Sequence, residues 1–406
     1  MKLNVETLQN KAFWAENNVV LPRFDPRAVA DRTAQQPTWV HFGAGNIFRA
    51  FIAVLQQRLL EQELADTGIV VAETFDHEII EKIYAPHDNL GLLVTLRPDG
   101  TTKREIVAGV GEAVAVDPQG GPGRDRLSAV FASDTLQMAS FTITEKGYAV
   151  RGLDGALLPI VARDAQGGPD KAGHVMSLVT AMLFYRYQAG GAPVALVSMD
   201  NCSHNGDKVK QAVFTVAELW RDNGFVPQAF IDYLTAKVSF PWSMIDKITP
   251  RPDGGVQDGL LADGFEDMQT LVTGKSTYIA PFVNAEEPQY LVVEDAFPAG
   301  RPPLEKAGVL FTDRDTVDKA ERMKVTTCLN PLHTALAVFG CLIGYDLIAD
   351  EMKDADLKRL AETIGNKEGL PVVIDPKILD PRQFLKEVLV VRLPNPFMPD
   401  TPQRIA

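Results

Sequence analysis

Residues 38–60 read TWVHFGAGNIFRAFIAVLQQRLL: the apolar run Trp39–Phe42 reaches two glycines, Gly43 and Gly45, and a helical pattern then begins. The stretch predicts a strand, a tight turn and a helix. A second apolar run, Gly68-Ile69-Val70-Val71-Ala72, ends in Glu73, so residues 38–74 predict a βαβ unit with a parallel strand pair. Leu92–Leu96 and Glu105–Val110 flank the turn signal Pro98-Asp99-Gly100 and predict a hairpin that interrupts the parallel sheet. Further strands are expected over Ala139–Thr144 and Pro193–Ser198, with a helix at about 174–188 between them.

Beyond Pro250 the pattern changes. Strand-like stretches at about 278–283 and 289–294 give way to helical patterns at about 315–329, 331–348 and 350–365. The cluster Pro250-Arg251-Pro252-Asp253-Gly254-Gly255 is of the kind that links compact units. The expected division is therefore an α/β nucleotide-binding domain over 1–250 and a mainly helical substrate domain over 251–406. The segment from Arg392 to Ala406 carries four prolines and cannot be a helix interior.

Composition narrows the function. With 406 residues, 46% apolar and 23% charged, the chain can build two cores. Cys202, Cys328 and Cys341 are too few and too scattered for a disulfide framework or a zinc site, so a reducing, cytoplasmic compartment is expected and no metal. The N-terminus lacks the layout of a signal peptide, and no run approaches the ~18 apolar residues of a membrane span, so no membrane partner is expected. A formal charge of -13 repels a phosphate backbone and makes nucleic acid an improbable partner. A small molecule fits better.

Gly43-Ala44-Gly45-Asn46-Ile47-Phe48 supplies the first two glycines of a dinucleotide fingerprint, one for the turn and one for close approach of backbone N–H groups to a pyrophosphate, with Phe48 where a third glycine would stand. Glu73 ends the next strand, where a carboxylate can accept hydrogen bonds from both hydroxyls of an adenosine ribose and would repel a 2′-phosphate. NAD is therefore expected over NADP. Asp76 is a nearby rival for that role.

Lys324-Val-Thr-Thr-Cys-Leu-Asn330-Pro-Leu-His333 joins a lysine, an amide and an imidazole, a set able to move an alcohol proton and steady an alkoxide. At ~100° per residue a straight helix would place Lys324 and His333 on opposite faces. They share one site only if the helix breaks, and Pro331 gives a physical cause for a break. The bland alternatives are a helix N-cap for Asn330, a solvated Lys324 and a core His333. Asn201, in Ser198-Met-Asp200-Asn201 after a predicted strand, is a second amide candidate or part of an Asx turn. Asp246-Lys247 places charge inside the apolar stretch 240–250 and needs a partner or a purpose.

VHFGAGNIFRAF, TITEKGY (Thr142–Tyr148), SMDNCSHNG, FPWSMIDKITP, the Lys324/Asn330/His333 cluster and NPFMPDTPQRIA together resemble the polyol-specific long-chain dehydrogenase/reductase family, also called the mannitol dehydrogenase family. The matches run in order across most of the chain. FPWSMIDKITPRP and MKVTTCLNPLHTALA resemble its fructuronate reductase (mannonate oxidoreductase) branch in particular. The resemblance implies an N-terminal Rossmann-like domain with an inserted hairpin, a helical C-terminal domain, and metal-independent NAD-linked interconversion of D-fructuronate and D-mannonate. Mannitol or another hexitol oxidation, tagaturonate reduction, and a non-catalytic nucleotide sensor are the alternatives. In the implied roles Lys324 is the general acid/base, Asn330 and Asn201 hold the substrate oxygen, His333 orients the substrate, and Glu321 relays the proton to solvent. Arg392 would grip a substrate carboxylate, which suits a planar fork. Phe42, Gly43, Ala44, Gly45, Asn46, Ile47, Phe48, Glu73 and Asp246 are the expected cofactor-binding residues. Relatives commonly place the lysine and asparagine one residue closer, so either a bulge absorbs the extra residue or the register shifts. They also usually continue past Ala406 into a further helical segment. A monomer or small oligomer is expected.

Overall fold

The computed structural model describes residues 1–118, 120–398 and 400–405. Its centre is a six-stranded, all-parallel sheet in the order Val110–Ala115, Ile69–Glu73, Trp39–Phe42, Met138–Phe141, Val194–Ser198, Val238–Ser239. The chain winds outward to one edge from Trp39–Phe42, then returns to its other side and winds to the opposite edge. This is the doubly wound order, in which ligands bind beyond the carboxyl ends of the two strands where winding reverses, here Phe42 and Phe141. Trp39–Phe42, Ile69–Glu73, Met138–Phe141 and Val194–Ser198 are buried at every position, as a sheet covered on both faces requires.

The predicted βαβ unit is present, but its helix, from 46 to 61, opens with a π-helical stretch, Phe48–Ile52. Phe48 is fully buried and stacks on His41, whereas glycine at that position serves close helix–strand packing. The hairpin also forms, with Gly91–Leu96 antiparallel to Thr102–Val107. It does not interrupt the parallel sheet. It leaves it for a second sheet ordered Val19–Val20, Thr102–Val107, Gly91–Leu96, Phe282–Ala285. Val110, expected as the hairpin's last residue, instead starts the next parallel strand. The chain re-enters the parallel sheet at Gly109, where a Cβ would meet the Ala53 carbonyl.

Residues beyond the expected 250/251 boundary pack with the N-terminal part of the chain. Phe282–Ala285 pairs parallel with Gly91–Leu96, and Leu260, Phe265, Met268 and Phe282 share a core with Leu3, Trp14 and Leu92. The change of packing partner comes later, through a third sheet of Ser243–Asp246, Tyr290–Glu294 and Leu310–Thr312. Strand alternation makes that sheet a shared wall. Ile245, Leu291 and Val293 pack into the N-terminal core, while Met244 and Val292 pack into the helical core built on Val317, Leu332, Leu336 and Phe384. By the same alternation Asp246 lies on the helical side.

The helical stretch 314–343 is long and apolar enough to cross a membrane by length and composition alone, a test that a core helix of a soluble protein also passes. It is broken in the middle. Leu332, Leu336 and Ala337 bury one side of it, and Val338, Phe339, Leu342 and Ile343 are exposed on the other. The proline-rich terminus is irregular except for the short helix Pro402–Ile405.

Candidate active site

The break in the helical stretch is what assembles the site. Arg314–Arg322 is α-helical, its first turn capped by the Asp313 side chain accepting from Thr316 N. Met323–Cys328 then runs as a π-helix, with Leu329 N donating to the Lys324 carbonyl five residues back. Leu329 departs from helical geometry at φ -128°, ψ -67°, and a new α-helix, Asn330–Ile343, starts with Pro331 in its first turn. The wider π turn accommodates the extra residue between Lys324 and Asn330. Lys324, Asn330 and His333 consequently line one cavity of about 380 Å³, together with Asn201, Asp246, Ile47 and Asp400. Asn330 is the first helical residue rather than an N-cap, and its exposed side chain makes no capping bond.

Lys324 is buried, and its ammonium faces three acceptors. Nζ donates to Asn201 Oδ1 and to the Ile245 carbonyl, each at 2.9 Å, and lies 3.4 Å from Asp246 Oδ1. Burial pushes its pKa below the usual lysine value, with Asp246 opposing and Arg392 reinforcing the shift. Asn201 must present its oxygen to the ammonium, which leaves its NH₂ as the donor for a ligand oxygen. His333 Nε2 sits 2.8 Å from Asp400 Oδ2, an ion-pair contact rather than a linear hydrogen bond. Glu321 is one turn before Lys324, half-buried and outside the cavity lining, and reaches the lysine through its field alone.

Two expected roles change. Arg392 is buried with its fork already occupied: Nη1 and Nη2 donate to Asp246, and Nε and Nη2 to Glu286 at 3.0 and 2.7 Å. Flanked by two carboxylates, it is not a cation available to a substrate carboxylate. Asp246, expected to touch cofactor, instead bridges Arg392 and Lys324. Burial raises its pKa, but the two cations outweigh that and hold it below the usual aspartate value.

The glycine turn lies where the winding reverses. Gly43 has φ +101°, and a Cβ there would strike the Thr142 carbonyl at the end of the adjacent strand. Around Gly45 a Cβ would meet nothing within 4 Å, so an open space stands before the helix N-terminus. These residues fit a dinucleotide pyrophosphate, with backbone N–H groups and the positive end of the helix dipole facing the opening. Ile47 lines the cavity, and Asn46 Nδ2 lies 3.4 Å from the Pro250 carbonyl. Phe42 and Phe48 are core residues, Phe42 stacking on Phe141, so only their backbones can face a ligand. Glu73 is buried and ties the turn together. Oε2 accepts from Ala44 N at 2.9 Å, and Oε1 from Phe75 N and Asp76 N at 2.9 and 3.2 Å. The expectation that it takes both ribose hydroxyls is corrected to one oxygen, Oε2, with a single backbone partner. Asp76 Oδ2 accepts from Thr273 Oγ1, and its Oδ1 is buried without a partner among the described residues.

Three contributors were not among the expected site residues, although Asp200 and Asn205 lie within SMDNCSHNG. Asn205 joins the ends of two strands, its Nδ2 donating to the Ser198 and Ser243 carbonyls and its Oδ1 accepting from Ser243 N. Asp200 accepts from Ile143 N, Thr144 N and the Tyr148 hydroxyl, fixing the loop that carries Asn201. Glu286 enters through Arg392.

Comparison with known proteins bears on the family and the fold. The sequence profile of the mannitol dehydrogenase Rossmann domain matches residues 37–306, and that of the mannitol dehydrogenase C-terminal domain matches 316–406. The chain is 53% identical to D-mannonate oxidoreductase of Thermotoga maritima, over all of this chain and 75% of that protein. It is 31% identical to mannitol 2-dehydrogenase of Cereibacter sphaeroides, over 92% of this chain and 74% of that protein, and 29% identical to polyol:NADP oxidoreductase of Gluconobacter oxydans, over 96% and 75%. Among solved structures, substrate-free D-sorbitol dehydrogenase superposes with a TM-score of 0.83 at 27% identity, over 100% of this chain and 77% of that one.

Proposed function

The chain belongs to the mannitol dehydrogenase family, and from that premise we propose that it is an NAD-dependent oxidoreductase interconverting D-fructuronate and D-mannonate. The observation that carries the chemistry is Lys324, buried at the mouth of the nucleotide fold between Asn201 Oδ1 and the Ile245 carbonyl. A dinucleotide held at the glycine turn would supply the hydride in reduction and accept it in oxidation. The chain's own residues handle the rest. Lys324 donates a proton to the carbonyl oxygen in reduction and takes it back in oxidation, with a proton affinity lowered by burial towards the working pH. The Asn201 amide and Asn330 stabilise the oxygen while it carries charge. His333, beside Asp400, orients the substrate, and Glu321 adds a negative charge to the field at Lys324.

The substrate assignment rests on the 53% identical relative rather than on Arg392. With that arginine held between two carboxylates, oxidation of a neutral hexitol is the second reading. A non-catalytic sensor is disfavoured by the convergence of Lys324, Asn330 and His333 on one cavity. NAD rather than NADP follows from Glu73 beside the turn. A cytoplasmic monomer or small oligomer completes the proposal. The test is NADH oxidation with D-fructuronate, D-tagaturonate and D-fructose in parallel, on the natural chain and on Lys324→Ala. Turnover restricted to fructuronate and lost in the variant, with NADH affinity retained, is expected. Preference for fructose overturns the substrate, and full activity of Lys324→Ala overturns the mechanism.

A further inference from the structure

Four charged side chains form a buried quartet behind the cavity: Lys324, Asp246, Arg392 and Glu286. Three of them line the cavity and Glu286 does not. Glu286 follows Phe282–Ala285 and is 1% exposed, too deep to meet a ligand itself. It is also tightly held. Its amide donates to the Ile248 carbonyl at 3.1 Å, Oε1 accepts from Ile248 N at 2.8 Å, and its carbonyl accepts from Lys247 Nζ at 2.7 Å. A carboxylate fixed this firmly, and aimed at an arginine that already has Asp246, is more than Arg392 needs for pairing.

We propose that Glu286 is a positioning residue that sets the protonation of Lys324 from outside the cavity, acting through Arg392 and Asp246. This rests on the lysine acid/base reading above. The charges that face Lys324 are Asp246 from the shared sheet, Arg392 from the C-terminal segment and Glu321 from its own helix. Those that face Glu286 are Arg392, Asp246 and Lys247. Burial raises the Glu286 pKa while Arg392 pulls it back down, and with Glu286 ionised the quartet carries two charges of each sign. The Glu286 charge offsets part of the Arg392 repulsion on Lys324 and holds the guanidinium in place against Asp246. Arg392 Nη2 is shared between Glu286 Oε1 at 2.7 Å and Asp246 Oδ1 at 3.1 Å, and that same Asp246 oxygen faces the lysine at 3.4 Å. Without the Glu286 charge the quartet has a net positive charge, and Lys324 should lose its proton more readily.

The experiment is the pH dependence of kcat for D-mannonate oxidation at saturating NAD, for the natural chain, Glu286→Gln, Arg392→Gln and the double variant. Circular dichroism and NADH affinity establish that each is folded. In oxidation Lys324 must be neutral, so the rate rises with pH through its pKa. Glu286→Gln is expected to move that limb down by about one pH unit, with kcat above the limb changed far less. In the Arg392→Gln background the same substitution should move the limb much less, because only the direct field of the Glu286 charge is then lost. An unmoved limb in folded Glu286→Gln overturns the proposal, as does an undiminished shift without Arg392. Should Glu286→Gln fail to fold, Glu286→Asp, which draws the carboxylate back from the guanidinium, is read in its place, and an unmoved limb in that folded variant overturns the proposal. Inactivity of the natural chain, or full activity of Lys324→Ala, would instead refute the underlying functional reading.

Discussion

Asp246→Asn separates the role the structure gives Asp246 from a cofactor contact. The substitution keeps the shape of the side chain and removes its charge 3.4 Å from Lys324 Nζ. At an effective dielectric of about 20, that charge pair is worth about 5 kcal/mol. At about 1.4 kcal/mol per pH unit, its loss would lower the lysine pKa by about three units. Reorientation of the amide and entry of water will absorb part of this, so a shift of one to two units is the expected outcome, within the ~1–3 units that a neighbouring opposite charge produces. Burial has already lowered the Lys324 pKa, so the shift adds to it in the same direction. In oxidation the base must be neutral, and the rising limb of kcat should move to lower pH. In reduction the acid must be protonated, and the same variant should lose rate at neutral pH. The assay is both directions from about pH 6 to 10, with NADH affinity by fluorescence at each pH. Opposite responses of the two directions are the signature. An unmoved limb accompanied by weakened NADH binding would refute the reasoning and return Asp246 to the cofactor.

Glu73→Ala leaves the N–H groups of Ala44, Phe75 and Asp76 without their acceptor, at about 1–3 kcal/mol for a buried group, so thermal unfolding should come earlier and discrimination against NADPH should weaken. Lost stability with unchanged cofactor preference would confine Glu73 to holding the turn. Gly43→Ala combines φ +101° with a clash on the Thr142 carbonyl and should cost about 2 kcal/mol or more in urea unfolding, with NADH binding reduced alongside. Glu351 is buried against Gly340, both carboxylate oxygens lack partners among the described residues, and burial pushes its pKa up to about 7 from 4.5. A carboxyl raised in the folded state contributes stability that is complete below about pH 4.5 and is lost as pH rises through about 7. The natural chain should therefore lose about 1–3 kcal/mol between pH 5 and pH 8, and Glu351→Gln should remove that dependence in denaturant titrations at the two pH values. Equal slopes in both proteins would show that Glu351 is not the titrating group.

What the sequence disclosed and what it hid divides along a physical line. The strand, turn and helix at 38–60 are local, each set by neighbouring residues. The reversal of winding beside Gly43 is not local, because it rests on the pairing of Trp39–Phe42 with Met138–Phe141, about 100 residues on. The Lys324–His333 cluster was legible because it is local: the angular conflict on a straight helix, and the proline able to break it, lie within ten residues. Even the extra residue before Asn330 has a local answer, since a π turn holds one more residue per hydrogen-bonded loop than an α turn. Arg392 is the contrary case. Its partners are 106 and 146 residues away, and an arginine beside a proline-rich segment reads the same whether it awaits a carboxylate or already holds two. The placement of the hairpin outside the parallel sheet was hidden likewise, because pairing of Phe282–Ala285 with Gly91–Leu96 is a long-range choice that neither segment announces. The consequence for function is specific. Reaction type in this chain follows from residues close in sequence, whereas the protonation of its lysine depends on a quartet assembled from four distant segments. Changes that preserve every recognisable motif can therefore still shift the pH at which the enzyme works.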